Sequence, residues 1–434
     1  MTNKPKRKEA LRFFPFFFIF LVLYSFLVVR RCAIPSLGAV AYLFHCVDFD
    51  FGFCSKFLPG ALYGLFVSSP SPTSAAVYET VLLLLGFAAA AYYLSRFYAD
   101  TPAEHKKTAL ILSALYLTGP CTFAPFSYQL GMLDVYWIYI SLIYIAALKT
   151  KYAKWLLCPA LLFVSTMIHN GVIITYIPFL CLLTLYEAAK EKDKKETAKK
   201  AVLLLLCIAV ALSGFLYFLA NDKKNVTVSM TEFDDTVTAR GAEMTRYFDV
   251  SLFCNPEDYS EEFLENYYYN GEYPESPYTP VFDGADLSAP EKLVNALVYQ
   301  VQYQYYTLKN SGIAKSVFTE SAVLLVILSP LLILFYTYTV KKYRKEKTNR
   351  LLRFVYFCML FMFPLAAFSS LLISTDSVRW IAHGFLCLFT LVLFMLHDAK
   401  EDLSIIGNYF SGFSPVIGIA YFFIYALTVL DPYV

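Results

Sequence analysis

Charge is what this 434-residue sequence has least of: Asp, Glu, Lys and Arg together make up 16% of it, where soluble domains carry about a quarter. A water-soluble surface is therefore excluded for most of the chain. Histidine is sparse, five residues scattered along the sequence, and no CxxC occurs, so a cysteine-based metal site has no scaffold. The ten cysteines do not make a disulfide framework either. About half fall in or beside apolar runs, where Cys acts as a small hydrophobe. Cys46 and Cys54 share one loop, and whether they pair stays open. No internal repeat or low-complexity tract is evident. The first apolar run lacks a small-residue cleavage pattern and ends in Arg30 and Arg31, so a cleavable signal peptide is not expected.

Apolar side chains are abundant instead, at 58% with a mean hydropathy of +0.53. They come in blocks of about twenty, long enough at about 1.5 Å per residue to cross the ~30 Å hydrocarbon layer. Seven blocks precede residue 220: Leu11 to Val29, Tyr78 to Leu94, Ala109 to Leu117, Leu130 to Leu148, Trp155 to Ile168, Val172 to Tyr186 and Ala201 to Leu219. Four follow: Val317 to Val340, Leu352 to Ile373, Ile381 to Leu396 and Phe413 to Leu430. The chain is thus expected to be an all-α integral membrane protein with about eleven transmembrane helices. The third and fifth blocks are short, and each either extends or turns back inside the membrane.

Basic residues set the orientation. With the N-terminus in the cytoplasm, 25 of the 36 Lys and Arg lie in inside segments and 11 outside. The clearest inside markers are Lys190 to Lys200 and Lys341 to Arg353, both in short loops, where the positive-inside bias is strongest. Three regions follow: an N-terminal transmembrane bundle (1–220, with an external loop at 30–77), an external cap (221–314) and a C-terminal transmembrane bundle (315–434). The cap holds 16 carboxylates against six basic residues. Its runs of Tyr argue against simple disorder, and helices are expected around Glu261 to Tyr269 and Glu291 to Tyr306. Asn225 begins a glycosylation sequon, which matters only in a eukaryotic secretory host.

The residues able to do chemistry gather at outer helix ends. Asp48 and Asp50 stand two apart in the first external loop, beside Phe44, Phe49, Phe51, Phe53 and Lys56. Such a pair can hold a divalent cation, Mg or Mn, or accept a proton from an attacking hydroxyl; solvated loop acids are the plainer alternative. His45 and Lys56 flank them as substrate contacts. His169, with Asn170 and Gly171, offers a group that titrates near neutrality, or merely a polar turn. Asp376, Arg379 and Trp380, with His383 a turn on, join a planar phosphate-matched donor to an interfacial aromatic. Gln129 and Asp134 lie at the outer end of the fourth block, where an ionisable residue is a functional candidate by default, and Glu320 follows the same logic nearer the interface. Arg30 and Arg31 break the positive-inside pattern, either to contact a lipid phosphate or to anchor the first helix.

A cytoplasmic N-terminus, an acidic first external loop (Asp48, Asp50) and many spans resemble the GT-C class of membrane glycosyltransferases. The stretch from Phe126 to Leu180, with His169 at its helical junction, resembles the EpsG and Wzy-like bacterial envelope-polysaccharide polymerases. Tyr128 and Gln129 stand where those have an Arg. The resemblance implies catalysis by Asp48, Asp50 and His169, phosphate binding by Arg379, polyprenyl-phosphate-linked sugars as substrates, and the bacterial cell membrane as location. Envelope-assembly proteins are the implied partners, and nucleic acid is not one. A transporter or flippase of a lipid-linked or small polar substrate, or a non-catalytic assembly protein, are the alternatives. A transporter predicts repeats or broken, charged helices at mid-membrane.

Overall fold

The computed structural model describes residues 4–32, 34–221, 225–228, 230–242, 279–282, 287–310, 314–373 and 376–428. Its described residues are helical, with one isolated β-bridge between Gly52 and Val226. In chain order the first helices are α1 (Lys4–Leu23), continued by a π-helical turn to Val29, α2 (Ala39–Cys46), α3 (Leu58–Gly64), α4 (Pro72–Asp100), α5 (Lys106–Leu117) and α6 (Ala124–Tyr128). Then come α7 (Val135–Leu148), α8 (Lys154–Ile168), α9 (Tyr176–Ala189), α10 (Lys194–Asn221), α11 (Met230–Ala239) and α12 (Ala289–Asn310). The last are α13 (Ala314–Lys345), α14 (Arg350–Ile373), α15 (Ser377–Asp398), α16 (Leu403–Ser411) and α17 (Pro415–Leu427).

Each of the eleven apolar blocks carries a helix, but length divides them. Among the described residues, six stretches are long and apolar enough to cross a membrane: Lys8–Val29, Pro72–Asp100, Lys194–Leu219, Lys315–Lys345, Arg350–Leu372 and Ser377–Asp398. A seventh is Lys400–Ser411 with Pro415–Leu427, if this pair, bent by 102°, is one broken span. Helices α7, α8 and α9 have 14, 15 and 14 residues, only about 21–23 Å of helix. Irregular or 3₁₀ backbone precedes α7 at Gln129–Asp134 and joins α8 to α9 at His169–Thr175. Non-helical backbone survives in lipid only where protein or water satisfies it, and both breaks meet around the start of α15. That helix is the axis of the bundle: 83% of its apolar window is buried, against 28–44% for the other five long stretches.

Polar contacts sort the connecting segments into two groups, one at each end of the bundle. At one end Lys106 meets Glu9 (2.6 Å), His397 meets Asp100 (3.7 Å), Lys342 meets Asp402 (2.7 Å) and Lys190 meets Asp398. Asn349 there donates to the Ala189 carbonyl (2.6 Å). At the other, Arg30 donates to the Ser127 carbonyl (2.7 Å), the Lys56 amide to Met167 (2.7 Å) and Arg240 to Asp48 (2.9 Å). The basic end is the one assigned to the cytoplasm from the sequence.

In the cap, α12 includes the expected helix from Glu291 to Tyr306; the one expected from Glu261 to Tyr269 lies outside the described residues. The cap's first part locks onto the first loop. Phe233 packs edge-on against Phe51 at 4.9 Å, and a Cβ at Gly52 (φ +130°) would lie 1.9 Å from the Asn225 carbonyl oxygen, so only glycine permits this crossing. Cys46 and Cys54 are both buried and are not joined to each other.

Candidate functional site

Four elements converge at the end opposite the basic loops. The turn before α7 delivers Asp134, and α7 itself Trp137. The end of α8 delivers His169, α9 begins with Tyr176, and the first turns of α15 carry Arg379, Trp380 and His383. Arg379 and His383 are four residues apart and so share one helix face. Asp376 N-caps α15, and its Oδ2 lies 2.7 Å from Arg379 Nε. Asp134 Oδ2 faces both side chains, at 3.4 Å from His383 Nε2 and 3.9 Å from the Arg379 guanidinium Nη1.

The cluster is dry. Side-chain exposure is 2% for Asp134, 1% for His383 and 8% for Arg379. Asp134 meets these partners only at 3.4 Å and beyond, a loose pairing for a buried carboxylate, whose desolvation is costly. Among the described residues, Gln129 Oε1, Thr175 Oγ1 and Trp137 Nε1 are buried without hydrogen-bond partners. This is a polar surface built to receive something. Tyr176 Oη lies 2.8 Å from His383 Nδ1; with the tyrosine donating, Nε2–H points at Asp134.

His169 Nδ1 accepts the Gly171 amide (2.9 Å), which leaves the proton of the neutral ring on Nε2. Burial, and then the nearby charges of Lys56 and Arg379, hold this imidazole well below its usual pKa. It is a neutral donor rather than a base. Trp380 lies tilted at 5.2 Å from the His169 ring and Trp137 tilted at 5.7 Å from Trp380, forming an aromatic wall. Gly171 is required there, because a Cβ would lie 2.4 Å from the Trp380 ring. Burial pushes the Asp376 carboxyl up to about 7, against the pull of Arg379.

Of the residues proposed from sequence, His169, Asp134, Asp376 and Arg379 share this cluster, Gln129 lies beside it in the turn before Asp134, and the Lys56 charge reaches it. Asp48 and Asp50 make their contacts with other residues. Asp48 Oδ2 pairs with Arg240 at 2.9 Å, its Oδ1 accepts the Asp50 amide at 3.0 Å, and Asp50 is exposed. No hydrogen bond or ion pair among the described residues joins either to Asp134, His169 or Arg379. Nor do the described residues hold any group of three His, Cys, Asp or Glu placed for a metal ion, around these two acids or elsewhere. His45 is buried in an ion pair with Glu79 (2.8 Å). Arg30 caps backbone carbonyls of Ser36 and Ser127, and Arg31 is exposed at φ +49°. Glu320 accepts from Ser316 on α13. Trp137, Tyr176 and Glu79 were not singled out from sequence. Glu79 carries the same signal as Asp134, a carboxylate inside an apolar run.

Beneath the cluster, a cavity of about 420 Å³ runs between α4, α7, α9 and α15, within the usual range of ligand pockets. Phe126, Trp137 and Tyr176 close it at the cluster; Arg96, Lys149 and His397 lie at its far end. Compared with protein-family models, curated proteins and solved structures, the chain matches none.

Proposed function

We propose that this protein is an outer-face membrane glycosyltransferase or glycopolymer polymerase that uses polyprenyl-phosphate-linked sugars in bacterial cell-envelope polysaccharide synthesis. The supporting frame is eleven crossings with a cytoplasmic N-terminus, which puts the cluster outside. One observation carries the reading: a buried carboxylate, Asp134, facing both His383 and Arg379 at 3.4 and 3.9 Å. Glycosyl transfer needs a base for the acceptor hydroxyl and a cation for the departing phosphate. In the proposed step the acceptor oxygen attacks the anomeric carbon and forms the new C–O bond. The bond from that carbon to the phosphate oxygen breaks, and its electrons leave with the lipid phosphate. Asp134, steadied by His383, takes the hydroxyl proton; Arg379 receives the phosphate; His169 donates Nε2–H to a substrate oxygen. Trp137 and Trp380 supply apolar faces for a sugar ring. Asp48 and Asp50 then rank behind Asp134 as bases.

The test is Asp134→Asn in cells, following envelope polymer and lipid-linked saccharide. The expected result is a fall in polymer formation of about 10²- to 10⁴-fold, with accumulated precursor and normal protein level. Arg379→Lys is expected to be damaging too, since it keeps charge but loses the donor fork. Normal product from both variants would move the transporter or assembly reading ahead.

A further inference from the structure

The cavity below the cluster has two unlike ends and an apolar middle. Along α7 its wall runs from Trp137 to Lys149, about 18 Å of helix. The wall between is aromatic and aliphatic, with Phe179, Leu142 and Phe394 among its residues. Tyr93, a wall residue, is 44% exposed on the outer face of the bundle, so the slot opens sideways toward the surface that lipid covers. A long, narrow, laterally open apolar slot suits a hydrocarbon chain.

The far end specifies what the chain is attached to. Arg96 and Lys149 bring two positive charges; the Asp100 carboxylate stands 3.7 Å from Arg96, and Asp398 lies near His397 at the same end. Arg96 Nε is buried without a hydrogen-bond partner. Lys149 makes no ion pair among the described residues, and its ammonium lies 5.2 Å over the ring of Phe394 in the slot wall. A cation held at the mouth of an apolar slot complements an anionic head on a hydrocarbon tail. We propose that this slot is a binding site for an anionic phospholipid, with its phosphate on Arg96 and Lys149 and one acyl chain reaching toward Trp137 and Tyr176. This end gathers the basic loops, and on the cytoplasmic side it meets the leaflet richest in anionic lipid. The proposal is independent of the reaction assigned to the cluster.

The test titrates the purified full-length protein in mild detergent with short-chain phosphatidylglycerol, with phosphatidylcholine of the same chains, and with glycerol phosphate, reading the thermal unfolding midpoint. Phosphatidylglycerol is expected to raise the midpoint and to bind at least about tenfold more tightly than phosphatidylcholine, one charge-assisted contact being worth about that factor. Longer chains should tighten it about fourfold per buried methylene until the slot is full. Lys149→Gln should remove the preference for the anionic head, and Ser141→Phe, which fills the slot, should remove the chain-length dependence. An equal response to both lipids, or an equal response to glycerol phosphate, overturns the proposal. Should a variant fold poorly, native mass spectrometry of the unaltered protein decides: retained phosphatidylglycerol supports the site, and its absence after purification from membranes rich in it counts against it.

Discussion

His45 and Glu79 illustrate how much of this structure is decided by single buried groups. Their side chains are both 0% exposed, His45 Nε2 and Glu79 Oε1 are 2.8 Å apart, and Tyr136 donates to the same oxygen at 3.1 Å. Removing either partner leaves a buried polar group unsatisfied, at a cost of about 1–3 kcal/mol. His45→Ala should therefore lower the thermal midpoint of the detergent-solubilised protein sharply, and replacing both residues with apolar ones should recover much of it; a His45→Ala midpoint unchanged from the parent would mean the pair is solvated. Asp376 gives a prediction in pH. Its carboxyl is raised by burial from 3.8 to about 7, so the folded state holds a proton that the unfolded chain releases. The stability this contributes is full below about pH 4 and is lost as pH rises through 7. Thermal midpoints measured between pH 5 and 8 should fall with pH in the parent and less so in Asp376→Asn. At this scale the sequence was legible where a group contradicts its surroundings. Asp134 stood out as an acid in an apolar block. Asp48 could not be read, because its partner Arg240 is 192 residues away.

At the scale of elements, the blocks of apolar residues locate the helices but not where each one stops. Composition does not separate a block that is helical throughout from one that spends its outer third as turn. The difference here lies in Gly131, at φ +85°, and in the 3₁₀ turn at Asn170–Ile174, which end the helical ladder early and turn polar groups inward. The site exists because α7, α8 and α9 are short and α15 is long. Gly171 tests this arrangement from the backbone, since its amide donates to His169 Nδ1. A methyl there would lie 2.4 Å from the Trp380 ring, so Gly171→Ala must displace either the tryptophan or the His169 turn. Activity in the polymer assay should fall while the protein level and midpoint stay near those of the parent; full activity would show that the Trp380–His169 contact does not shape the site.

For the whole molecule, the partition of charge and the partition of contacts are separate observations that agree. Counting Lys and Arg puts the N-terminus and the Lys190 to Lys200 and Lys341 to Arg353 loops on one side. The structure ties Glu9 to Lys106, Lys190 to Asp398, Lys342 to Asp402 and Asn349 to Ala189, each contact joining two segments of that same side. Alternation between two ends holds even through α5 and α7 to α9, which are too short to pass a length criterion. Eleven crossings follow if the bilayer thins or water enters above the short helices, as a polar site at their ends requires. The prediction is a labelling pattern in intact cells. Single cysteines placed at Lys192 and Lys345, in a background lacking the native thiols, should resist a membrane-impermeant maleimide until the membrane is opened. One placed at Asp50, which is exposed, should react at once. Labelling of position 50 only after permeabilisation would put the Asp134 cluster on the cytoplasmic face. An outer-face transferase would then be untenable, while the anionic-lipid site would keep its geometry but lose the argument from leaflet charge.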